Sequence, residues 1–409
     1  MCPLIDVSRC HVKSFQRRVL VPVLAVAFSG AVALSTSIDA PARAATIGAP
    51  GWLGSTGSLG SLGGSVEDLS YAAVAQRLGA VMAERGIPGA QVVYTDRGTE
   101  REFDYGVSSA ATGSPVTSGT VFEAASLTKV VASYVVLQLV DEGVLDLDTP
   151  LSEYFDYSRI AGDPAAQRIT GRMVLTHTSG LPNWATGPSS PEFETTPVST
   201  IFEPGTQWSY SGEGFYYLQK TVESLTGESF EQLVRERVFE RFGMAGSDLV
   251  TNPAFDAVTS VGHTADGTAR PVRNFPRANV AYTLRTTAGD YNKFLRGALI
   301  DGEGLAPGTR EMMFTPAGSA DHGGGDQDAI DHIKWGLGIG LQSNELGDAI
   351  WHWGDNGPYK AFFIAYPETG RSIVIMTNSE NGLNAVDDVV HEFFGSNTVY
   401  ATRWIKEAE

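Results

Sequence analysis

The sequence predicts a mixed α/β (α+β) protein: one antiparallel sheet built from both ends of the folded body, flanked by helices, with an all-helical lobe inserted between the two contributions. Three observations carry this reading. Strand-like runs cluster at two places, "GAQVVYTD" and "REFDYGVS" near the front and "WGLGIGLQS", "KAFFIAYPE" and "RSIVIMTNS" near the back. Between them, over about residues 151–280, Pro, Gly, Ser and Thr are frequent, strands are scarce and helical spacing comes in pieces. A chain of 409 residues, 42% hydrophobic and 19% charged, has a globular composition and the length for roughly two lobes.

The elements follow in order. Residues 66–86, "VEDLSYAAVAQRLGAVMAERG", have helical spacing and end at Gly86, a helix stop. The two front strands come next, joined by "RGTE". "VFEAASLTKVVASYVVLQLV", residues 121–140, is almost wholly apolar and reads as a buried helix stopping near Gly143. In the middle region "EGFYYLQKTVESLTG" and "SFEQLVRERVFERFG" are helical, the second opened by a capping box of Ser229 and Gln232. "TAGDYNKFLRGAL" is a further helix, and one over about residues 385–394 closes the body. The segment around His352 reads as an edge strand, with Gly354 where a ligand must approach the backbone.

The first 44 residues differ from the rest. They carry Arg9, Lys13, Arg17, Arg18 and Arg43 against Asp6 and Asp39, an apolar run over residues 19–34, and the small-residue pattern Ala42-Arg43-Ala44. This predicts a secretory signal cleaved near residue 44, and so a secreted or extracytoplasmic protein. The run is short for a spanning helix, which needs roughly 20 residues; the alternative is an uncleaved membrane anchor. Residues 45–65 are Gly/Ser-rich and read as a flexible linker, leaving 66–409 as the folded domain. Cys2 and Cys10 both precede the apolar run, so the folded body has no disulfide, thiol nucleophile or Cys-based metal site. The net charge is −18 despite the basic front. A body this acidic argues against nucleic acid or an anionic membrane surface as partner.

Chemistry is suggested at three places. Ser126 and Lys129 lie three apart on a helix and so share a face. The helix N-terminus favours an oxyanion and disfavours an ammonium, and burial disfavours the ammonium further. A lysine depressed in this way can take a proton from a serine hydroxyl, otherwise a weak nucleophile. The competing reading is that Ser126 caps the helix and Lys129 reaches solvent. In "FEPGTQWSYSGEGF" a Pro-Gly turn leads to Tyr210-Ser211-Gly212 just before a helix. Tyr210 is a candidate proton shuttle if cationic neighbours lower its pKa, and otherwise an ordinary core or surface tyrosine. In "AIWHWGDNGPYKAFFIAYPE" strand alternation puts His352 and Trp353 on opposite faces.

The order Ser-x-x-Lys, Tyr-x-small, His-x-Gly resembles the serine β-lactamase and penicillin-binding protein superfamily, in its class C-like, DD-peptidase-like and related esterase branch. "MVLTHTSGLPNW", "VESLTGESF" and "WGLGIGL" add to the likeness, which spans roughly residues 70–395. The resemblance implies a sheet flanked by helices, an all-helical lobe, and an active site between them. It implies Ser126 as nucleophile, Lys129 as its proton partner and Tyr210 as a second acid/base group. The backbone N–H groups of Ser126 and Asp355 would form the oxyanion hole, with His352, Gly354 and Gly212 around the substrate. No metal and no cofactor is implied. The substrate would be a small molecule or peptide, cell-wall-derived peptides included.

Two departures bear on specificity. Gly212 stands where relatives that bind amide side chains have Asn, and Trp353 replaces a small hydroxyl residue. Both point towards an ester or a D-amino-acid amide or peptide, with β-lactams hydrolysed weakly. Other candidates are weaker. His177 in "LTHTSG" reads as structural, and "SADHGGGDQDAIDH" as a solvated acidic loop without the spacing of a metal cage. Of Trp335, Trp351, Trp353, Phe362 and Phe363, one or two are expected at an acyl pocket and the rest in the core. The alternative from another class is a catalytically silent protein that keeps this fold for binding or scaffolding.

Overall fold

The computed structural model describes residues 71–321, 326–395 and 399–408. The expected signal and linker, residues 1–65, lie outside the described residues. Among those described, no helix is long and apolar enough to cross a membrane.

Among the described residues there are eleven strands: β1 (Gly89–Asp96), β2 (Thr99–Ser109), β3 (Ser114–Pro115), β4 (Phe122–Glu123), β5 (Arg285–Thr286), β6 (Gly318–Ser319), β7 (Ile333–Trp335), β8 (Gly340–Asn344), β9 (Gly347–Asp355), β10 (Lys360–Tyr366) and β11 (Arg371–Thr377). Nine form one sheet in the order β3-β2-β1-β11-β10-β9-β8-β7-β6, while β4 and β5 pair separately. Every neighbouring pair is antiparallel. The two ends of the body meet where β1 pairs with β11, Val92 opposite Ile375. The expected four-residue "RGTE" loop contracts to Arg97 and Gly98, both at positive φ (46° and 88°). A two-residue turn of that hand matches strand twist, so Thr99 and Glu100 join β2.

Strands β10 and β11 are buried nearly throughout, because both faces of the sheet are covered. Ala361, Phe363, Val374 and Met376 pack in one core with helix α2 (Leu127–Asp141). Phe362, Ile364, Ile373 and Ile375 pack in the other with Val74, Leu78 and Met82 of helix α1 (Tyr71–Glu84) and Val389, Val390 and Phe393 of the helix at Val386–Phe394. Helix α2 is apolar all round because it is enclosed all round: Leu127 to Leu139 are buried without exception.

Three expectations are corrected. The region 151–280 is less helical than its spacing implies. It holds helices at Gly171–Leu175 and Gly212–Thr226, a helical run over 230–242 and short 3-10 turns, with loops between them. Gly227 and Gly243, both in the left-handed conformation, end the second helix and the run. Strand β9 is an edge strand over the residues expected, but it begins earlier, at Gly347. It pairs with β8 from Gly347 to Trp351, and from His352 to Asp355 only with β10. A last helix, Tyr400–Ala408, was not foreseen. Only nine residues long, it buries Ala401, Trp404 and Ile405, too brief a pattern to stand out beyond Gly395.

Candidate active site

The site is built from the turn before α2 outward. Ala125 has φ +49°, rare for a residue with a Cβ, and this left-handed step presents Ser126 at the mouth of the helix. Such strain costs about 1–3 kcal/mol and persists only where surrounding contacts enforce it. Here Ala124 N–H donates to the Leu284 carbonyl and Leu284 N–H donates to Thr128 Oγ1. Ser126 makes no side-chain cap bond. Its Oγ instead receives a hydrogen bond from Lys129 Nζ at 3.1 Å.

Lys129 is 1% exposed, which rules out its reaching solvent. Its amine donates to the Ala281 carbonyl at 2.8 Å and lies 4.6 Å from the centre of the Tyr210 ring. Burial holds its pKa well below the ordinary lysine value. A neutral amine has a lone pair free to receive the Ser126 proton.

Tyr210 joins this pair, but in a different state from that anticipated. Burial pushes the phenol pKa up, Ser126 offsets this in part and Asp355 adds to it. Lys129, itself depressed, faces the ring and does not lower the pKa. Tyr210 is therefore a neutral phenol, and its buried hydroxyl lies beside Ser126 without forming a hydrogen bond of full geometry.

Beyond Trp351 the free edge of β9 comes against the turn before Ser126. A Cβ on Gly354 would lie 2.3 Å from the Ala124 carbonyl oxygen, so only glycine permits this approach. Asp355 then lines the cleft beside Ser126. Its carboxylate is held by Lys360 at 2.5 Å and by the Gly357 N–H at 2.6 Å.

His352 does not line the cleft. It is fully buried, its ring 5.5 Å from that of Trp335 and 6.3 Å from that of Tyr210. Direct substrate contact is therefore corrected: the aromatic rings cover it, and Trp353 reaches the cleft in its place. Burial and then Lys129 push the His352 pKa down to about 3, against the Trp353 carbonyl. His177, also fully buried, accepts the Ser211 N–H at Nδ1, and its carbonyl accepts the Ser209 N–H. It braces the chain on both sides of Tyr210, the structural role expected of it.

The cleft encloses about 670 Å³. Ser126, Lys129 and Tyr210 lie together with Trp184, Trp208, Tyr282, Trp353, Trp404 and Arg273. Of the five aromatics weighed from sequence, Trp353 alone lines it; Trp335, Trp351, Phe362 and Phe363 are core. Trp184, Trp208, Trp404 and Arg273 were not foreseen. Trp184 stood inside the quoted "SGLPNW", but nothing local marks which tryptophan faces a cavity. Asp326, from the acidic loop, caps a helix at Gln327–His332, and Arg403 pairs with Asp326 and Asp328.

A family model described as Beta-lactamase matches residues 74–391. The chain is 28% identical over 338 residues to penicillin-binding protein 4 of Amycolatopsis lactamdurans, covering 78% of this chain and 88% of that protein. It is 28% identical over 236 residues to esterase EstB of Burkholderia gladioli, covering 50% of this chain and 58% of that one. Its fold is similar to that of D-alanine carboxypeptidase AmpC from Burkholderia cenocepacia, with a TM-score of 0.66 at 20% identity over 79% of this chain and 97% of that one. The family match runs from the first described helix to the helix after β11, and within it a serine and a buried lysine meet at the mouth of α2; the chain belongs to the beta-lactamase family and is a serine hydrolase.

Proposed function

We propose that the protein hydrolyses an ester or a D-amino-acid amide or peptide, and β-lactams weakly, through a covalent acyl-enzyme at Ser126. The observation that carries this is the 3.1 Å contact between Ser126 Oγ and the buried amine of Lys129. Ser126 Oγ attacks the substrate carbonyl carbon as its proton passes to Lys129 Nζ. The oxyanion is received by the N–H groups of Ser126 and Asp355. The carbon–oxygen or carbon–nitrogen bond then breaks, and the leaving alcohol or amine takes a proton from the Tyr210 hydroxyl, which Lys129 replenishes. Water attacks the acyl-enzyme, the acid departs, and Ser126 regains its proton.

The relatives' names, penicillin-binding protein on one side and esterase on the other, support both substrate arms. The basic and apolar N-terminal segment supports a secreted protein, so a cell-wall peptide is within reach. Intact mass and turnover decide between the arms, using purified protein with a fluorescent penicillin and with a short-chain activated ester, against a Ser126→Ala control. A stable penicillin adduct without turnover favours the peptidase arm, and fast ester turnover the esterase arm. Neither adduct nor turnover would sink the hydrolytic reading and leave a silent member of the fold.

A further inference from the structure

Gly212 does not leave an empty space. A Cβ there would lie 2.4 Å from Cζ2 and 2.5 Å from Cη2 of Trp184, far inside van der Waals contact with a rigid ring. The room that a side chain at position 212 would need is already filled by the Trp184 indole. That ring lines the cleft with Ser126, and its edge packs against Tyr282 and Phe193 at ring separations of 5.8 and 5.9 Å.

The ring is fixed from both sides. Before it, the Asn183 carbonyl accepts the N–H groups of Gly212 and Glu213, and Asn183 Oδ1 accepts Gly212 N–H as well. After it, Ala185 N–H donates to Glu213 Oε1 at 3.1 Å. Glu213 is gripped by Arg159 through two hydrogen bonds of 2.8 and 2.9 Å, with both side chains 1% exposed. A buried pair of this kind is costly to break, so the Trp184 backbone cannot drift from the helix that starts at Gly212.

From this we infer that Trp184 and Gly212 act as one specificity-determining pair, which makes this part of the cleft an apolar slot for an acyl group without an amide. The inference rests on the acyl-enzyme reading above and narrows its substrate to esters of apolar, aryl- or alkyl-bearing acids. An acylamino group pressed against the indole would lose water from its amide and meet ring carbon, and the adjoining Asn183 already commits its carbonyl and Oδ1 to the N–H groups of Gly212 and Glu213. A site that leaves a buried polar group unpaired discriminates strongly against it.

The test uses two para-nitrophenyl esters with a common leaving group, one of 3-phenylpropanoic acid and one of N-acetylglycine, with Ser126→Ala as control. Wild type is expected to prefer the phenylpropanoyl ester by at least about tenfold in kcat/KM. Gly212→Asn alone is expected to lose activity on both esters and to melt earlier. Trp184→Ala/Gly212→Asn is expected to recover stability and shift the preference at least about tenfold towards the acetylglycyl ester. An unchanged preference in the double variant and in Trp184→Ala, with Ser126-dependent turnover intact, would overturn the pairing alone. No Ser126-dependent turnover of either ester by wild type would overturn the acyl-enzyme reading and this inference with it.

Discussion

Gly354 lies against Ala124 so closely that an added methyl would sit 2.3 Å from the Ala124 oxygen and 3.1 Å from the Ala125 Cβ. Through this contact the end of β9 and the turn before Ser126 become one rigid unit. Gly354→Ala must push them apart, separating the N–H of Asp355 from that of Ser126. In the proposed mechanism this removes an oxyanion donor, a loss of about 10²–10³-fold in kcat, and a fall of that size is expected together with a lower Tm. Steady-state ester hydrolysis and a thermal melt check both; an unchanged kcat would remove the strand end from the reaction.

Lys129 gives a prediction with opposite signs for activity and stability. Its native pKa is depressed by burial, so the unfolded chain binds a proton that the native state refuses. Stability therefore rises with pH up to the unfolded lysine value, about 10.4, and the penalty deepens as pH falls. Lys129→Met removes the penalty. The variant should lose about 10²–10⁴-fold in kcat yet melt higher than wild type at pH 6. Wild-type kcat should rise with pH through a transition well below the ordinary lysine range. A variant less stable at pH 6 would contradict the buried neutral amine.

Tyr210→Phe deletes a buried hydroxyl that lies beside Ser126 without forming a full hydrogen bond. Removing an unsatisfied polar atom does not destabilise, whereas removing a proton donor slows turnover. The expected result is a kcat lower by about 10²-fold or more at an unchanged or higher Tm. Because burial pushes the phenol pKa up, wild type should show no tyrosinate limb in its rate profile between pH 6 and about 9.5, below the unperturbed tyrosine value. A large loss of stability would instead make Tyr210 a packing residue.

His352 should reveal itself in acid. Its native pKa of about 3 lies below the unfolded value of about 6.5, so its stability contribution is complete above that value and is lost as pH falls towards 3. Urea unfolding at pH 7 and pH 4 should show a smaller acid loss for His352→Gln than for wild type. An equal acid loss in both would assign the effect to other groups, the similarly depressed His177 first among them.

Much was legible in the chain because it is written in local spacing. Ser126 and Lys129 share a helix face by their separation alone, and the strand pairs declare themselves as apolar runs between turns. Tyr210 was readable as a candidate but not its charge state, which depends on how completely the cores close over it. The place of His352 was misread because alternation assigns faces without saying which face is covered. The short final helix was missed, and Trp404 with it.

The sequence by itself determined the elements, the antiparallel sheet drawn from both ends, and the residues capable of acyl transfer, because each rests on periodicity or on groups a few positions apart. Only the tertiary structure decided which tryptophans face the cleft, that Trp184 fills the room above Gly212, and that the amine of Lys129 is buried deeply enough to hold its pKa well below the ordinary lysine value. Those are properties of contacts between segments far apart in the chain, and burial, which sets both sterics and pKa, exists only once they meet.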